Sequence, residues 1–129
     1  MDYKQLVEKA FEAMEFAYAP YSEFKVGAAL LTKSGKVYTG CNVEIASFGA
    51  TNCAERTAIF KAISEGEKEY EAIAVVSSTL DTTYPCGICR QVIVEFAPGI
   101  DIIMGRKDGY TVLTMDDLLP HSFTPKDLE

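Results

Sequence analysis

Three cysteines and a glutamate in two short segments set the strongest constraint on how this chain can fold. Cys53-Ala54-Glu55 is followed, about thirty residues on, by Pro85-Cys86-Gly87-Ile88-Cys89. Cys86 and Cys89, three residues apart, face the same side of the first turn of a helix that opens after Pro85. Cys53 stands where a second, alanine-rich helix begins, and it joins the other two thiols only if the two helices start side by side. A helix N-terminus carries partial positive charge and free N–H groups, which stabilise thiolates. Three thiolates with one position left open make a catalytic zinc site, whereas a structural site closes its tetrahedron with a fourth protein ligand.

Each of these residues also has a plainer reading. Cys86 and Cys89 alone could be a redox pair, but the preceding proline and the Cys-Ala-Glu partner favour the metal. Cys41 is the fourth cysteine; as a fourth ligand it would make the zinc inert, and otherwise it is a small buried side chain. Glu55 lies two residues from a ligand, close to the metal without having to bind it, and proton transfer is its natural task. Arg56 either donates hydrogen bonds to the thiolates, offsetting their excess negative charge, or is an exposed helix arginine. His121, the only histidine, lies beyond the last strand and is expected at the surface or at a substrate rim.

The 129 residues suit one domain, 1–129, and a 48% hydrophobic content supplies its core. A net charge of −7 disfavours a nucleic-acid partner, because phosphate backbones are bound by Lys and Arg. No apolar stretch approaches the ~20 residues that span a bilayer, and Met1 to Gln5 begins no secretory signal. A cytoplasmic, reducing location is therefore expected, with the cysteines as ligands or free thiols.

Periodicity predicts a helix from Tyr3 to Tyr18 stopped by Pro20, and strands at 24–31 and 36–40 around Ser34-Gly35. It then predicts a helix at 53–64 ended by Gly66, and a strand at 72–77 buried on both faces. A helix at 87–96, strands at 100–104 and 110–114, and a short helix at 115–119 complete the order. The fold class that follows is α/β: three layers, α/β/α, around a mixed five-stranded sheet.

The two cysteine segments match the zinc-deaminase signature in an all-cysteine form, and further motifs widen the match. Tyr18-Ala-Pro-Tyr-Ser22, Phe24-Lys-Val-Gly-Ala-Ala29, Gly40-Cys-Asn-Val-Glu44, Cys53-Ala-Glu-Arg-Thr-Ala58, Pro85-Cys-Gly-Ile-Cys-Arg-Gln91 and Leu118-Leu-Pro120 occur in order. Together they resemble the small zinc-dependent cytidine deaminases of the homotetrameric type, over nearly the whole chain. The resemblance implies zinc on Cys53, Cys86 and Cys89, and Glu55 as the proton carrier. It implies hydrolysis of cytidine and deoxycytidine to the uridine products and ammonia. Asn42 and Glu44 would bind the ribose hydroxyls of a neutral nucleoside, and the Ala54 backbone N–H would meet the pyrimidine carbonyl. Phe24 would sit at the base and sugar pocket, and Phe123 would stack on the base, in its own or a neighbouring subunit; for both rings, core filling or tail anchoring is the alternative. Two positions depart from the family pattern: Ile45 stands where an asparagine is common and Phe48 where a tyrosine is. They keep open a second substrate, such as a nucleoside antibiotic with a cytosine base.

Overall fold

The computed structural model describes residues 1–128. Its elements are helix α1 (Tyr3–Met14), strands β1 (Val26–Thr32) and β2 (Val37–Cys41), helix α2 (Ala54–Ser64), strand β3 (Tyr70–Ser77), helix α3 (Gly87–Phe96), strands β4 (Asp101–Arg106) and β5 (Gly109–Leu113), and helix α4 (Met115–Leu118). The sheet runs β2-β1-β3-β4-β5. Only β3 and β4 are parallel, with α3 as their crossover, and the other neighbours are antiparallel. The expected mixed five-stranded sheet is present.

Alternation along the central strands creates two cores. Ala29 and Leu31 of β1, Ala72, Ala74 and Val76 of β3 and Ile103 of β4 pack against Leu6, Val7, Ala10 and Met14 of α1. Ala28, Leu30, Ile73, Ile102 and Met104 face the other way, against Ala54, Ala58 and Ile59 of α2 and Ile93 of α3. Burial on both faces is why 72–77 reads as a continuous apolar run. The small residues admit helices at close range. A Cβ on Gly27 would lie 2.0 Å from the Ala10 carbonyl oxygen, and one on Gly40 2.5 Å from that of Ala54.

Topology places the cysteines. β2 and β3 are each antiparallel to β1, so they run in the same direction and end at the same edge of the sheet. The loops leaving them lead into α2 and α3, which brings the N-termini of those two helices together there. Ligands commonly bind at this carboxyl edge of an α/β sheet.

Several boundaries differ from the periodic pattern by one to four residues, and three of them show the cause. Helix α1 ends at Met14 rather than Tyr18, because the Tyr18 N–H donates to the Asn42 carbonyl (2.9 Å) and Tyr18 pairs with Val43 in an isolated bridge. β1 starts at Val26 rather than Phe24, since the backbone of residues 24–26 is held by side chains. The Asn42 Nδ2 donates to the Phe24 carbonyl (2.8 Å), and the Val26 N–H donates to the Asn42 Oδ1 (2.9 Å). β4 extends to Arg106, two residues past the expected end, through pairing with β5. Among the described residues, no helix is long and apolar enough to cross a membrane.

Candidate active site

Cys53 is the N-cap of α2 and Cys86 the N-cap of α3. Both backbones are extended at that position, so each side chain projects from the start of its helix. Cys89 lies one turn into α3, and its N–H donates to the Cys86 Sγ (3.4 Å). The three sulfurs all lie within 4.8 Å of one another. The Cys53 and Cys86 Sγ atoms are 3.7 Å apart, close to the ~3.8 Å edge of a tetrahedron with Zn–S bonds of about 2.3 Å. Cys89 is buried, Cys53 half-buried and Cys86 exposed, so the cluster is closed on one side and open on the other. The donor set and spacing fit zinc.

Cys41 takes no part in the cluster. Gly40, its neighbour on β2, faces α2, so alternation turns Cys41 to the α1 face. A fourth-ligand role for Cys41 is thereby overturned. His121 is exposed and likewise outside the cluster.

Arg56, one turn into α2, reaches back so that its Nη2 donates to the Cys53 Sγ (3.2 Å). The exposed-arginine alternative fails on this contact. Hydrogen bonds from Cys89 and from Arg56 hold the Cys53 thiol at about 5, well below its ordinary value. The reciprocal bond to Cys53, with burial, pushes Cys89 up. A thiolate at Cys53 is thus stabilised before any metal arrives. Burial works against the charge on Arg56, but its bonds to Cys53 and Cys89 outweigh that and raise its pKa.

Glu55 is 3% exposed and stands in the first turn of α2 between these groups. Burial raises its pKa to about 7, and the negative charge at Cys53 adds to the effect. A carboxyl that both takes and gives a proton near neutrality suits general acid–base work.

A cleft of about 410 Å³ opens above the cysteines, lined by Phe24, Asn42, Glu44, Ala54, Glu55 and Cys86 among others. Ala54 opens α2, so its N–H has no intrahelical acceptor and remains available to a ligand. Asn42 and Glu44 are each 8% exposed and already hold backbone. Glu44 accepts from the Tyr21 N–H (3.0 Å), the Ser22 N–H (3.1 Å) and the Ser22 hydroxyl. The Ser22 hydroxyl and N–H, with the Tyr21 N–H, hold the Glu44 carboxyl below the usual carboxylate range against the opposing effect of burial. By valence, Asn42 keeps one N–H and one lone pair free, and Glu44 about one acceptor site.

Phe123 does not line this cleft. Its ring is exposed, and its peptide is gripped by Gln91 of α3, whose Nε2 donates to the Phe123 carbonyl (2.8 Å) while its Oε1 accepts from the Phe123 N–H (3.3 Å). Phe48 is also exposed and packs edge-on against Tyr21, with ring centroids 6.1 Å apart. The Ile45 side chain is exposed outside the cleft, while its N–H donates to the Thr51 Oγ1 (3.0 Å). The two departures from the family pattern thus lie beside the cleft, not at its floor.

Two further contributors lie inside the cysteine motifs without a role assigned from sequence. Arg90 donates from Nε to the Pro85 carbonyl (2.8 Å) and from Nη1 to the Leu118 carbonyl (2.6 Å), bracing the turn that presents Cys86. Thr57 Oγ1 donates to the carbonyls of Cys41 and Cys53, both at 3.1 Å, tying the end of β2 to the start of α2. Adjacency to the cysteine segments was the one available signal for these residues.

The family model described as the cytidine and deoxycytidylate deaminase zinc-binding region matches residues 1–104. The chain belongs to this family. A cytidine deaminase of Halalkalibacterium halodurans is 50% identical over 130 residues, covering 99% of this chain and 98% of that protein. One of Sporosarcina psychrophila is 46% identical over 130 residues, covering 99% and 96%. The crystal structure of cytidine deaminase from Burkholderia pseudomallei matches with a TM-score of 0.91 at 50% identity, over 95% of this chain and all 100% of that one. The family's metal is zinc, and the cluster of Cys53, Cys86 and Cys89 is a group that could hold it.

Proposed function

We propose that this zinc-dependent deaminase hydrolyses cytidine and deoxycytidine to uridine and deoxyuridine with release of ammonia. The observation that carries the reading is the buried Glu55 beside a three-thiolate cluster at the floor of a cleft. Zinc held by Cys53, Cys86 and Cys89 supplies the Lewis acidity that makes water nucleophilic at neutral pH. Glu55 accepts the proton of the water that attacks C4 of the cytosine ring. It gives that proton to the ring nitrogen, then carries the proton of the new C4 hydroxyl to the amine, and as the C4–N bond breaks water and cytidine yield uridine and ammonia. The Ala54 N–H orients the base through its carbonyl oxygen, Phe24 packs on base and sugar, and Asn42 and Glu44 hold the sugar hydroxyls with their remaining valences. Arg56 withdraws charge from Cys53 and so preserves the acidity of the metal.

The cleft's lining includes Glu44 and Glu55 and, among the described residues, no Lys, Arg or His. That charge balance supports a neutral nucleoside over its phosphate. The same reading takes residues 1–129 as one catalytic domain acting in pyrimidine salvage in the cytoplasm. Its four free cysteines suit a reducing compartment. The exposed rings of Phe16, Phe48 and Phe123 support a homotetramer in which Phe123 reaches a neighbour's cleft.

Purified protein assayed for zinc and for ammonia release tests the proposal. Zinc near one per chain is expected, with release from cytidine and deoxycytidine and little from cytosine or cytidine monophosphate. A zinc-loaded protein inert toward cytidine would refute it, and a cytosine nucleoside antibiotic turned over faster than cytidine would redirect it. Sedimentation gives the oligomeric state.

A further inference from the structure

Ser22 contacts two residues of the cleft lining at once. Its hydroxyl donates to the Glu44 Oε2, while its Oγ accepts from the Phe24 N–H (3.0 Å). Its own N–H donates to the Glu44 Oε1 (3.1 Å), as does the Tyr21 N–H (3.0 Å). The Glu44 carboxylate is therefore tied by three hydrogen bonds to a two-residue stretch of the loop before β1. Only the hydroxyl of Ser22 engages Oε2, and without it that oxygen loses its one side-chain anchor. Glu23, next in the chain, has φ 58°, a left-handed conformation uncommon for a residue with a side chain. The loop adopts this turn while Ser22 and Asn42 fix the Phe24 peptide from both ends, through its N–H and its carbonyl.

We propose that Ser22 is a positioning residue for sugar recognition, acting through Glu44. Its hydroxyl locks the Glu44 carboxylate so that the remaining acceptor direction points at a sugar hydroxyl. The assignment rests on the reading of Glu44 as a sugar-binding residue. A serine that merely stiffens the loop would affect every substrate alike. One that works through Glu44 affects only substrates with a hydroxyl for Glu44 to hold.

The comparison of cytidine with 2′,3′-dideoxycytidine, which lacks both ring hydroxyls, separates the two. Ser22→Ala is expected to raise KM for cytidine roughly tenfold, the loss typical of one hydrogen bond to an ionised partner, with kcat within about twofold. The KM of the dideoxynucleoside, or its Ki against cytidine, is expected to change less than about twofold. Ser22→Thr, which keeps a hydroxyl, restores the cytidine KM. In a Glu44→Ala background Ser22→Ala adds almost nothing, because the two act as a unit. Zinc content and melting temperature confirm that each variant is folded. Equal losses on both nucleosides, or an unchanged cytidine KM, would overturn the assignment. A wild-type enzyme inactive on cytidine would instead overturn the substrate reading on which the assignment depends.

Discussion

Gly40→Ala and Gly27→Ala introduce the same methyl group under two different helices, and only one of those helices carries the site. A Cβ at Gly40 would lie 2.5 Å from the Ala54 carbonyl oxygen, 2.6 Å from the Ala58 nitrogen and 2.9 Å from the Thr57 Cβ, where ordinary contact begins at 3.4 Å. All three neighbours belong to the backbone or Cβ of α2, so no rotamer change relieves the clash, and the helix must lift by about 1 Å. Overpacking of this kind costs about 1–3 kcal/mol. The lifted segment begins with Cys53, Glu55 and Arg56, and a displacement of about 1 Å in reacting groups can cost about a hundredfold in rate. At Gly27 the clash is worse, 2.0 Å to the Ala10 carbonyl oxygen and 2.7 Å to the Met14 nitrogen. Yet α1 holds no residue of the cluster or the cleft, so Gly27→Ala should lose at least as much stability while keeping turnover per zinc-loaded chain. Urea denaturation with zinc saturating, metal analysis and steady-state kinetics on cytidine measure the three quantities. The reasoning is refuted if Gly40→Ala keeps turnover near the parent value, or if Gly27→Ala loses as much turnover as Gly40→Ala.

Other outcomes follow from single contacts. Glu55→Gln should keep its zinc and lose about 10²–10⁴-fold in kcat, as expected for removal of a general acid–base group, and a variant near wild-type rate would remove Glu55 from the mechanism. Cys53→Ala, by contrast, should lose the metal itself, read directly as zinc per chain. Arg56→Gln takes the guanidinium donor from the Cys53 thiolate; turnover should drop about 10–100-fold with zinc still bound, and an unaltered kcat would show the contact to be structural. Tyr3 Oη donates to Asp101 Oδ2 (2.5 Å), and this bond, with burial, pushes the phenol up to about 12. Folding favours the protonated phenol, so its stabilisation is complete below about pH 10 and fades as pH rises through about 12. The stability gap between the parent and Tyr3→Phe should therefore be constant to about pH 10 and narrow above it. A gap independent of pH across that window counts against the bond.

What the sequence made legible is what depends on residues close together along the chain. Helix α3 has the bounds its pattern predicts, because a proline, a capping cysteine and a terminal Pro-Gly are all local signals. The buried strand at 72–77 announced itself by its apolar run, whereas the two cysteine-bearing helix starts converge only because β2 and β3 end at the same edge of the sheet. Contacts made across the fold were not legible. Ser22 and Glu44 are twenty-two residues apart, and their bond exists because Tyr18 pairs with Val43 and draws the loop onto the extension of β2. Gln91 and Phe123, thirty-two apart, meet because α3 and the chain after α4 share one face of the sheet. The premature end of α1 has the same origin, since a backbone bond to Asn42 outcompetes a further helical turn that the local pattern favoured. The family resemblance implied ligand contacts for Asn42 and Glu44, and nothing local in the sequence shows that the same side chains anchor a loop. In the fold they do so with most of their valences and retain the rest. Removing Glu44 therefore frees the Tyr21 and Ser22 N–H groups as well as a sugar contact, and the measured loss is the sum of both. Removing the Ser22 hydroxyl leaves Glu44 its two backbone donors and takes away the Oε2 anchor together with the acceptor of the Phe24 N–H, so comparing nucleosides with and without hydroxyls isolates the part that belongs to sugar recognition.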